Sequence, residues 1–340
     1  MKAMKHNNFP PSANFVKSVS AIKAVFLLSV LSIFAITITG CNKQAVQPAA
    51  SAKTSTTTTN QEKMVSTPFG MVPASKVHLI EQGTEVATVN GHVTKVNSAT
   101  GAVIEDYGVV TPVSATISNS LSSRFSAHTL ATQTGGIGNG YYVYGNLPSG
   151  KNIQSFSTSW VVPNAPSRDS TLFLWNGADN VDGSSFMQPV LGWNDGHGNT
   201  WFIQNWGFAN GNYFHSNAIT VSSGTTVTGV MTQVSAKSGT YKYTIAFAGH
   251  SSITYTQSYP EPANQVIQCW EAYTNTYLAF PPDQYVAMKS MNLQYVGSGS
   301  TNQPITWVQT SDGAIYTPSG QNTVLVNNGT NNSEVDFYFQ

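Results

Sequence analysis

Residues 141–340 carry a succession of short strand patterns and no convincing helix pattern. Apolar residues recur at every second or fourth position in these patterns, as Phe156, Trp160 and Val162 do on one predicted strand. Turn residues such as Ser222-Ser223-Gly224 separate one pattern from the next. A series of about a dozen short strands with turns at this spacing is typical of an antiparallel sandwich. We therefore predict an all-β fold, in which two antiparallel sheets pack face to face as a jelly-roll sandwich.

Two polar, low-complexity segments divide the N-terminal part of the chain. Residues 42–66 are rich in Ala, Ser, Thr and Gln, a composition that cannot bury enough apolar surface to fold. Residues 112–140 are again mostly Ser, Thr, Ala and Gly. Between them lie short strand patterns, with a hairpin turn expected at Asn90-Gly91. We predict a flexible tether over residues 41–66, and a small β module with a linker over residues 67–140.

The N-terminus has the pattern of an export signal. Lys17 and Lys23 precede an apolar run, Ala24–Thr39, that is shorter than the roughly 20 residues needed to span a bilayer. The run is followed by Gly and Cys41, an arrangement that resembles the lipobox of bacterial lipoproteins. The resemblance implies that residues 1–40 are removed and that a lipid on Cys41 anchors the protein at the outer side of the cytoplasmic membrane or in the outer membrane. The alternative is an uncleaved membrane anchor. Both readings place the body of the protein outside the cytoplasm.

The charge distribution and the absence of metal-binding motifs exclude several classes of function. The chain has 15 basic and 15 acidic residues, but residues 135–340 carry only five Lys or Arg against ten Asp or Glu. Because a phosphate backbone requires clustered Lys and Arg, we exclude a nucleic-acid partner. The seven His residues are scattered without Cys partners at metal-ligand spacing, which argues against a zinc site. No G-x-S-x-G motif is present, although a Ser-His-Asp site assembled from distant loops stays open.

Two polar residues fall on strand faces that are otherwise apolar. Gln188 shares its face with Phe186 and Val190, and Glu271 shares its face with Cys269 and Tyr273. A buried amide or carboxylate costs free energy unless it is hydrogen-bonded. The two residues therefore either belong to a functional site or satisfy backbone groups at strand edges.

Three segments carry a family resemblance in order along the chain. The first is Trp175–Asp179, followed by the strand that contains Gln188; the second is Thr200–Trp206, followed by Ala218–Gly224; the third is Val266–Tyr273. Together they resemble the eqolisin family, acid-acting glutamic endopeptidases built on a concanavalin A-like β-sandwich. The resemblance covers roughly residues 150–310. Within it, Gln204 and Asn205 stand where family members carry an acidic residue, and Pro189 stands where they carry a small polar one.

The resemblance implies a peptidase mechanism without a metal, a cofactor or a covalent intermediate. Glu271 would act as general base on a water molecule and then as general acid towards the leaving amine. Gln188 would hold the water and stabilise the oxyanion through its amide N–H. Asp179 would support the site, and the remaining candidates for a substrate cleft are Trp175, Trp193, Trp201, Asn205 and Trp206. The expected partners are a polypeptide substrate and the membrane reached through Cys41, and we expect a monomer.

Two other functions remain open at this stage. Concanavalin A-like sandwiches also serve as lectins, and a fold does not fix a function. Aromatic, Asn and Gln side chains suit carbohydrate binding. A glycosidase would need two carboxyl groups about 5 to 9 Å apart, for which Glu271 and Asp179 are the candidates. We rank the peptidase first, the carbohydrate-binding module second and the glycosidase third.

The charge division and the Gly-rich junction between residues 134 and 140 generate a first prediction. We expect acid incubation of the purified precursor to cleave the chain in this junction and to separate a removable prosegment, because exposed polar loops are preferred sites of nicking. N-terminal sequencing of the products tests this. A chain that stays intact and fully active would contradict it.

Overall fold

The described part of this computed structural model consists almost entirely of strands. It comprises residues 62–110, 140–180, 183, 186–237, 239–274, 276–309 and 322–339, all within one compact unit, Thr59–Gln340. The predicted signal segment, Cys41, most of the tether and the predicted cleavage junction before Gly140 lie outside the described residues. Among the described residues, no helix is long and apolar enough to cross a membrane.

The described ranges contain twenty-one strands and three short 3₁₀ turns. The strands are β1 (Met64–Thr67), β2 (Gly70–Pro73), β3 (Val77–Leu79), β4 (Thr84–Val89), β5 (His92–Asn97), β6 (Val103–Val109), β7 (Tyr141–Asn146), β8 (Ile153–Val161), β9 (Thr171–Asp179), β10 (Phe186–Trp193), β11 (Trp201–Ala209), β12 (Asn212–His215), β13 (Ile219–Val221), β14 (Thr226–Lys237), β15 (Thr240–Phe247), β16 (Tyr255–Tyr259), β17 (Gln265–Tyr273), β18 (Tyr285–Tyr295), β19 (Val308–Gln309), β20 (Asn322–Val326) and β21 (Glu334–Tyr338). The 3₁₀ turns are Ala74–Lys76, Ser251–Ile253 and Tyr277–Ala279.

Two large sheets form the body of the fold. The front sheet has nine strands in the order β19-β7-β17-β9-β10-β11-β12-β3, with β13 paired to β11. The back sheet has ten strands in the order β20-β21-β18-β8-β14-β15-β16-β4-β5-β6. Pairing is antiparallel except where β12 meets β3 and β16 meets β4. The predicted all-β, two-sheet sandwich is confirmed.

Strands from the N-terminal module extend both sheets. β3 pairs with β12 in the front sheet, and β4 pairs with β16 in the back sheet. The predicted hairpin turn is confirmed, because Asn90 (φ 50°) and Gly91 (φ 77°) join β4 to β5 with the positive φ values of a type I′ turn. The proposed domain boundary at residue 140 stays a prediction, although both sheets continue across it.

One hydrophobic core lies between the two sheets. The back sheet contributes Phe156, Trp160 and Ile245, and the front sheet contributes Leu174 and Trp270, all fully buried. The predicted common face of Phe156, Trp160 and Val162 is thereby confirmed. Alternation along each strand sends these residues inwards and their neighbours to the opposite face.

The front sheet is also buried on its other side, which we call the outer face. A second apolar cluster covers this face and consists of Tyr142, Phe173, Trp175, Phe186, Val190, Phe202, Trp206, Ile267 and Cys269. Every residue of β10 is buried, and β9 and β17 are buried at all but one position each. The sequence of a strand that is buried on both faces is a nearly continuous run of apolar residues. Polar side chains on the outer face are therefore enclosed by apolar ones.

Candidate functional site

Glu271 lies fully buried on the outer face of the front sheet. Strand β17 places it opposite Phe173 of β9. The indole Nε1 of Trp175 donates a hydrogen bond of 2.9 Å to its Oε2. The hydroxyl of Tyr273 donates to its Oε1. The carboxyl group therefore has two aromatic donors in an otherwise apolar setting.

Burial dominates the protonation of this carboxyl group. Removal from water raises the pKa of Glu271 from its ordinary value of 4.5 to about 8. The hydrogen bonds from Tyr273 and Trp175 lower the pKa in part, and the negative charge of Asp195 raises it further. At acid and neutral pH Glu271 is consequently a protonated acid that can donate a proton.

Asp195 is a second carboxyl group near Glu271 that the sequence reasoning missed. It follows β10 directly after Asn194, which has a left-handed φ of 54°. Thr171 Oγ1 donates to the Asn194 carbonyl at 3.5 Å, which ties this turn to the start of β9, where Thr171 pairs with Tyr273. Burial raises the pKa of Asp195 to about 6. The sequence Asn-Asp-Gly reads as an ordinary exposed turn, so only the fold reveals this neighbour.

Gln188 lies on the outer face but at a distance from Glu271. The pairing of β9 with β10 places Gln188 level with Gly177, whereas Glu271 is level with Phe173. Four residues along a strand correspond to about 13 Å, and the two side chains also stand on strands on opposite sides of β9. The register thus offsets the two positions along the sheet, and the expectation that both side chains hold one water molecule stays a prediction.

The amide of Gln188 is buried and only partly hydrogen-bonded. Its Nε2 donates to the backbone carbonyl of Pro68 over a long distance, 3.4 Å. Its Oε1 has no hydrogen-bond partner among the described residues. Asn176, Asn205 and Gln268 also carry a buried amide oxygen without a partner among these residues.

Asp179 does not pair with Glu271. It ends β9 opposite Phe186 and Gln265, six residues along the strand from Phe173, which corresponds to about 20 Å. Its Oδ1 accepts a hydrogen bond of 2.8 Å from the backbone N–H of Asn180. The prediction that Glu271 and Asp179 form a carboxyl pair is thus wrong. The two groups lie farther apart than the roughly 5 to 9 Å that separates the carboxyl groups of a glycosidase.

The predicted aromatic cleft divides between the two faces of the front sheet. Trp175 and Trp206 lie on the outer face. Trp193 and Trp201 lie in the core between the sheets, with ring centroids 5.1 Å apart. Asn205 also points away from the outer face, and its Nδ2 donates to the Ile253 carbonyl at 2.9 Å. The prediction that Trp193, Trp201 and Asn205 line a substrate cleft is therefore wrong. Alternation along β10 and β11 turns their side chains towards the interior.

No group of three or more His, Cys, Asp or Glu side chains in the described ranges is arranged to hold a metal ion. Cys269 is fully buried beside Glu271 on β17, and burial raises the pKa of its thiol well above the ordinary value. A thiol in this state is a poor nucleophile. Glu271 is therefore the better candidate for chemistry on this strand.

Comparisons with known proteins give a remote likeness to solved structures. No family model and no curated protein matches the chain. Two crystal structures of scytalidoglutamic peptidase, with a peptide-based transition-state analogue and with a transition-state analogue inhibitor, match at 13% and 14% identity with TM-scores of 0.38 and 0.37. SCP-B, a member of the eqolisin family in complex with the tripeptide Ala-Ile-His, matches at 14% identity with a TM-score of 0.35. Each match covers 59% of this chain and 98% of the other.

The raised pKa of Glu271 makes stability depend on pH in a defined direction. Between its unfolded value of 4.5 and its folded value of about 8, the folded state binds one proton more than the unfolded state. The stability contributed by this proton is complete below pH 4.5 and is lost as pH rises to about 8. We expect the stability of the wild type to fall relative to that of Glu271→Gln across this window, by an amount on the order of a few kcal/mol.

Urea unfolding at several pH values measures this difference. Asp195→Asn provides the matched variant, because removal of its charge should lower the pKa of Glu271 and narrow the window. A stability difference between the wild type and Glu271→Gln that is constant from pH 4 to 9 would contradict the assignment.

Proposed function

We propose that this chain is an exported, acid-acting glutamic endopeptidase in which Glu271 supplies the proton. The observation that carries the proposal is the protonated, fully buried carboxyl group of Glu271, held by Trp175 and Tyr273 on the outer face. The eqolisin-like segments around Trp175, Gln188 and Glu271 support the same reaction class. Export and attachment through a lipid on Cys41 belong to the proposal and rest on the N-terminal sequence alone.

The raised pKa of Glu271 reverses the order expected from the sequence, in which Glu271 acts first as a general base and then as a general acid. Because the group is neutral below about pH 8, it acts first as a general acid and donates its proton to the scissile carbonyl oxygen as water adds to the carbonyl carbon. The carboxylate that remains takes a proton from the added water and passes it to the leaving amine. The C–N bond breaks, and Glu271 then recovers a proton from the new carboxylic acid. The cycle needs no other proton donor.

Gln188 takes a substrate-binding role in this proposal. Its Nε2 already donates to a peptide carbonyl, that of Pro68. The offset of four residues between Gln188 and Glu271 equals the length of about four residues of extended peptide. An extended substrate could therefore be held at Gln188 by one carbonyl and react at Glu271 several residues away.

A glycosidase, ranked third from the sequence, becomes the second candidate, because the charge of Asp195 acts on the carboxyl group of Glu271. The pKa of Asp195 is about 6 and that of Glu271 is about 8. Burial raises both values, and between them Asp195 is ionised while Glu271 is protonated, which is the state that a glycosidase requires of its two carboxyl groups. Parallel assays with casein and with a panel of polysaccharides separate the two functions.

Substitution of Glu271 tests the catalytic assignment. Glu271→Gln preserves the shape of the side chain but cannot donate a carboxylic proton, so peptide hydrolysis should fall by about 100- to 10,000-fold while the fold is retained. Asp179→Asn, on the same sheet and about 20 Å away, is the matched control and should retain most activity. Wild-type activity should decline as pH rises through about 8. A folded Glu271→Gln variant that cleaves casein as fast as the wild type would refute the proposal.

Substitution of Gln188 tests its binding role. Gln188→Ala should mainly raise KM, because the lost hydrogen bond holds substrate and transition state equally. A fall in kcat of about 100- to 1,000-fold would instead indicate an oxyanion donor. Steady-state kinetics on one peptide, with circular dichroism to confirm folding, decide between the two.

A further inference from the structure

The β1–β2 hairpin lies over the end of the outer face that contains Gln188. Among the described strands, Met64–Thr67 and Gly70–Pro73 pair only with each other, in a separate two-stranded sheet. At its tip, Thr67 and Pro68 are buried, whereas Met64 at its base is exposed. Hairpin tips normally point into solvent. This tip points into the protein.

The side chain of Phe69 at the tip is surrounded by four aromatic rings. Its ring centroid lies 5.0 Å from that of Tyr213 and 5.2 Å from that of Phe186. Trp206 and Phe208 complete the surround at 6.2 and 6.3 Å. These distances are those of favourable aromatic contacts. We call the four surrounding residues the aromatic pocket.

The backbone of the tip is held in the manner of a bound peptide. The carbonyl of Pro68, directly before Phe69, accepts a hydrogen bond from Gln188 Nε2. The Oε1 of the same amide is buried and has no hydrogen-bond partner among the described residues. The hairpin therefore uses only part of the hydrogen-bonding capacity of Gln188. Within the tip, Thr67 Oγ1 accepts from the Phe69 N–H at 3.1 Å and donates to the Gly70 carbonyl at 2.8 Å.

We propose that the aromatic pocket with Gln188 is a binding subsite for an aromatic residue of a peptide, and that Phe69 occupies it in place of that residue. The identification of the peptide as a substrate rests on the proposed function; the pocket itself does not. A peptide with Phe or Tyr would place its ring where Phe69 lies and its preceding carbonyl where that of Pro68 lies. A two-stranded hairpin has little stability of its own, so a competing peptide can displace it.

Binding of small amino-acid probes to a variant that lacks the Phe69 ring tests the aromatic pocket. In Phe69→Ala the ring is removed, and calorimetry should show that N-acetyl-L-phenylalanine amide binds about 10- to 100-fold more tightly than to the wild type. N-acetyl-L-alanine amide should show no such gain. Met71→Ala is the matched control, because Met71 lies on the same hairpin but outside the outer-face cluster. It should behave like the wild type.

Several outcomes would overturn the inference. Equal binding of the two probes to folded Phe69→Ala would show that the pocket does not select aromatic rings. Equal affinity of the phenylalanine probe for Phe69→Ala and the wild type would show that Phe69 does not compete. If Phe69→Ala fails to fold, Phe69→Leu replaces it, and loss of folding in both variants would show that the tip is an integral part of the core.

The binding measurement can be separated from the proposed activity by adding Glu271→Gln. Rescue by the phenylalanine probe in the Phe69→Ala, Glu271→Gln double variant requires no catalysis. If rescue occurs but no variant hydrolyses peptides, the pocket stands and the peptidase proposal fails. If peptides are hydrolysed but Phe69→Ala gains no preference for substrates with Phe over Ala, the peptidase proposal stands and the pocket inference fails.

Discussion

The burial of the Glu271 carboxyl group is the constraint on which the rest of this site depends. A carboxylate enclosed by apolar rings would cost far more free energy than its hydrogen bonds return, so the group keeps its proton and its pKa rises to about 8. Trp175 and Tyr273 donate to its two oxygens and fix its orientation. The same enclosure makes Glu271 a proton donor at acid pH, where an exposed glutamate near its ordinary pKa would already be partly ionised.

That enclosure exists because the front sheet is covered on both faces. Its inner face packs against the back sheet, and its outer face carries a separate aromatic cluster. This double burial also explains why the sequence offers Trp193 and Trp201 as cleft residues although both lie in the core. In β10 and β11 apolar residues occur at nearly every position, so the sequence has no contrast that tells inward from outward. Only the pairing of these strands with their neighbours decides the direction.

The class of fold can be predicted from the sequence. The sequence also shows that Gln188 and Glu271 are polar residues on apolar strand faces, but it does not show how far apart they lie. Strand patterns, turn residues and the Asn90-Gly91 hairpin follow from local preferences, and the structure confirms them. Gln188 and Glu271 are recognisable because each is polar among apolar neighbours. Their separation depends on the registers of β9 with β10 and of β9 with β17, which are long-range properties. Asp195 was missed for the same reason, since its place beside Glu271 is created by the turn after β10.

Trp175 connects the two ends of the outer face. Its indole ring packs edge-on against Phe186, a wall of the aromatic pocket, with ring centroids 5.5 Å apart, and its Nε1 donates to Glu271. A fully buried side chain that contacts both residues fixes the distance between Phe186 and Glu271. Under the proposed function, the offset between Gln188 and Glu271 is the spacing that an extended peptide needs when one end of the face binds it and the other end protonates it.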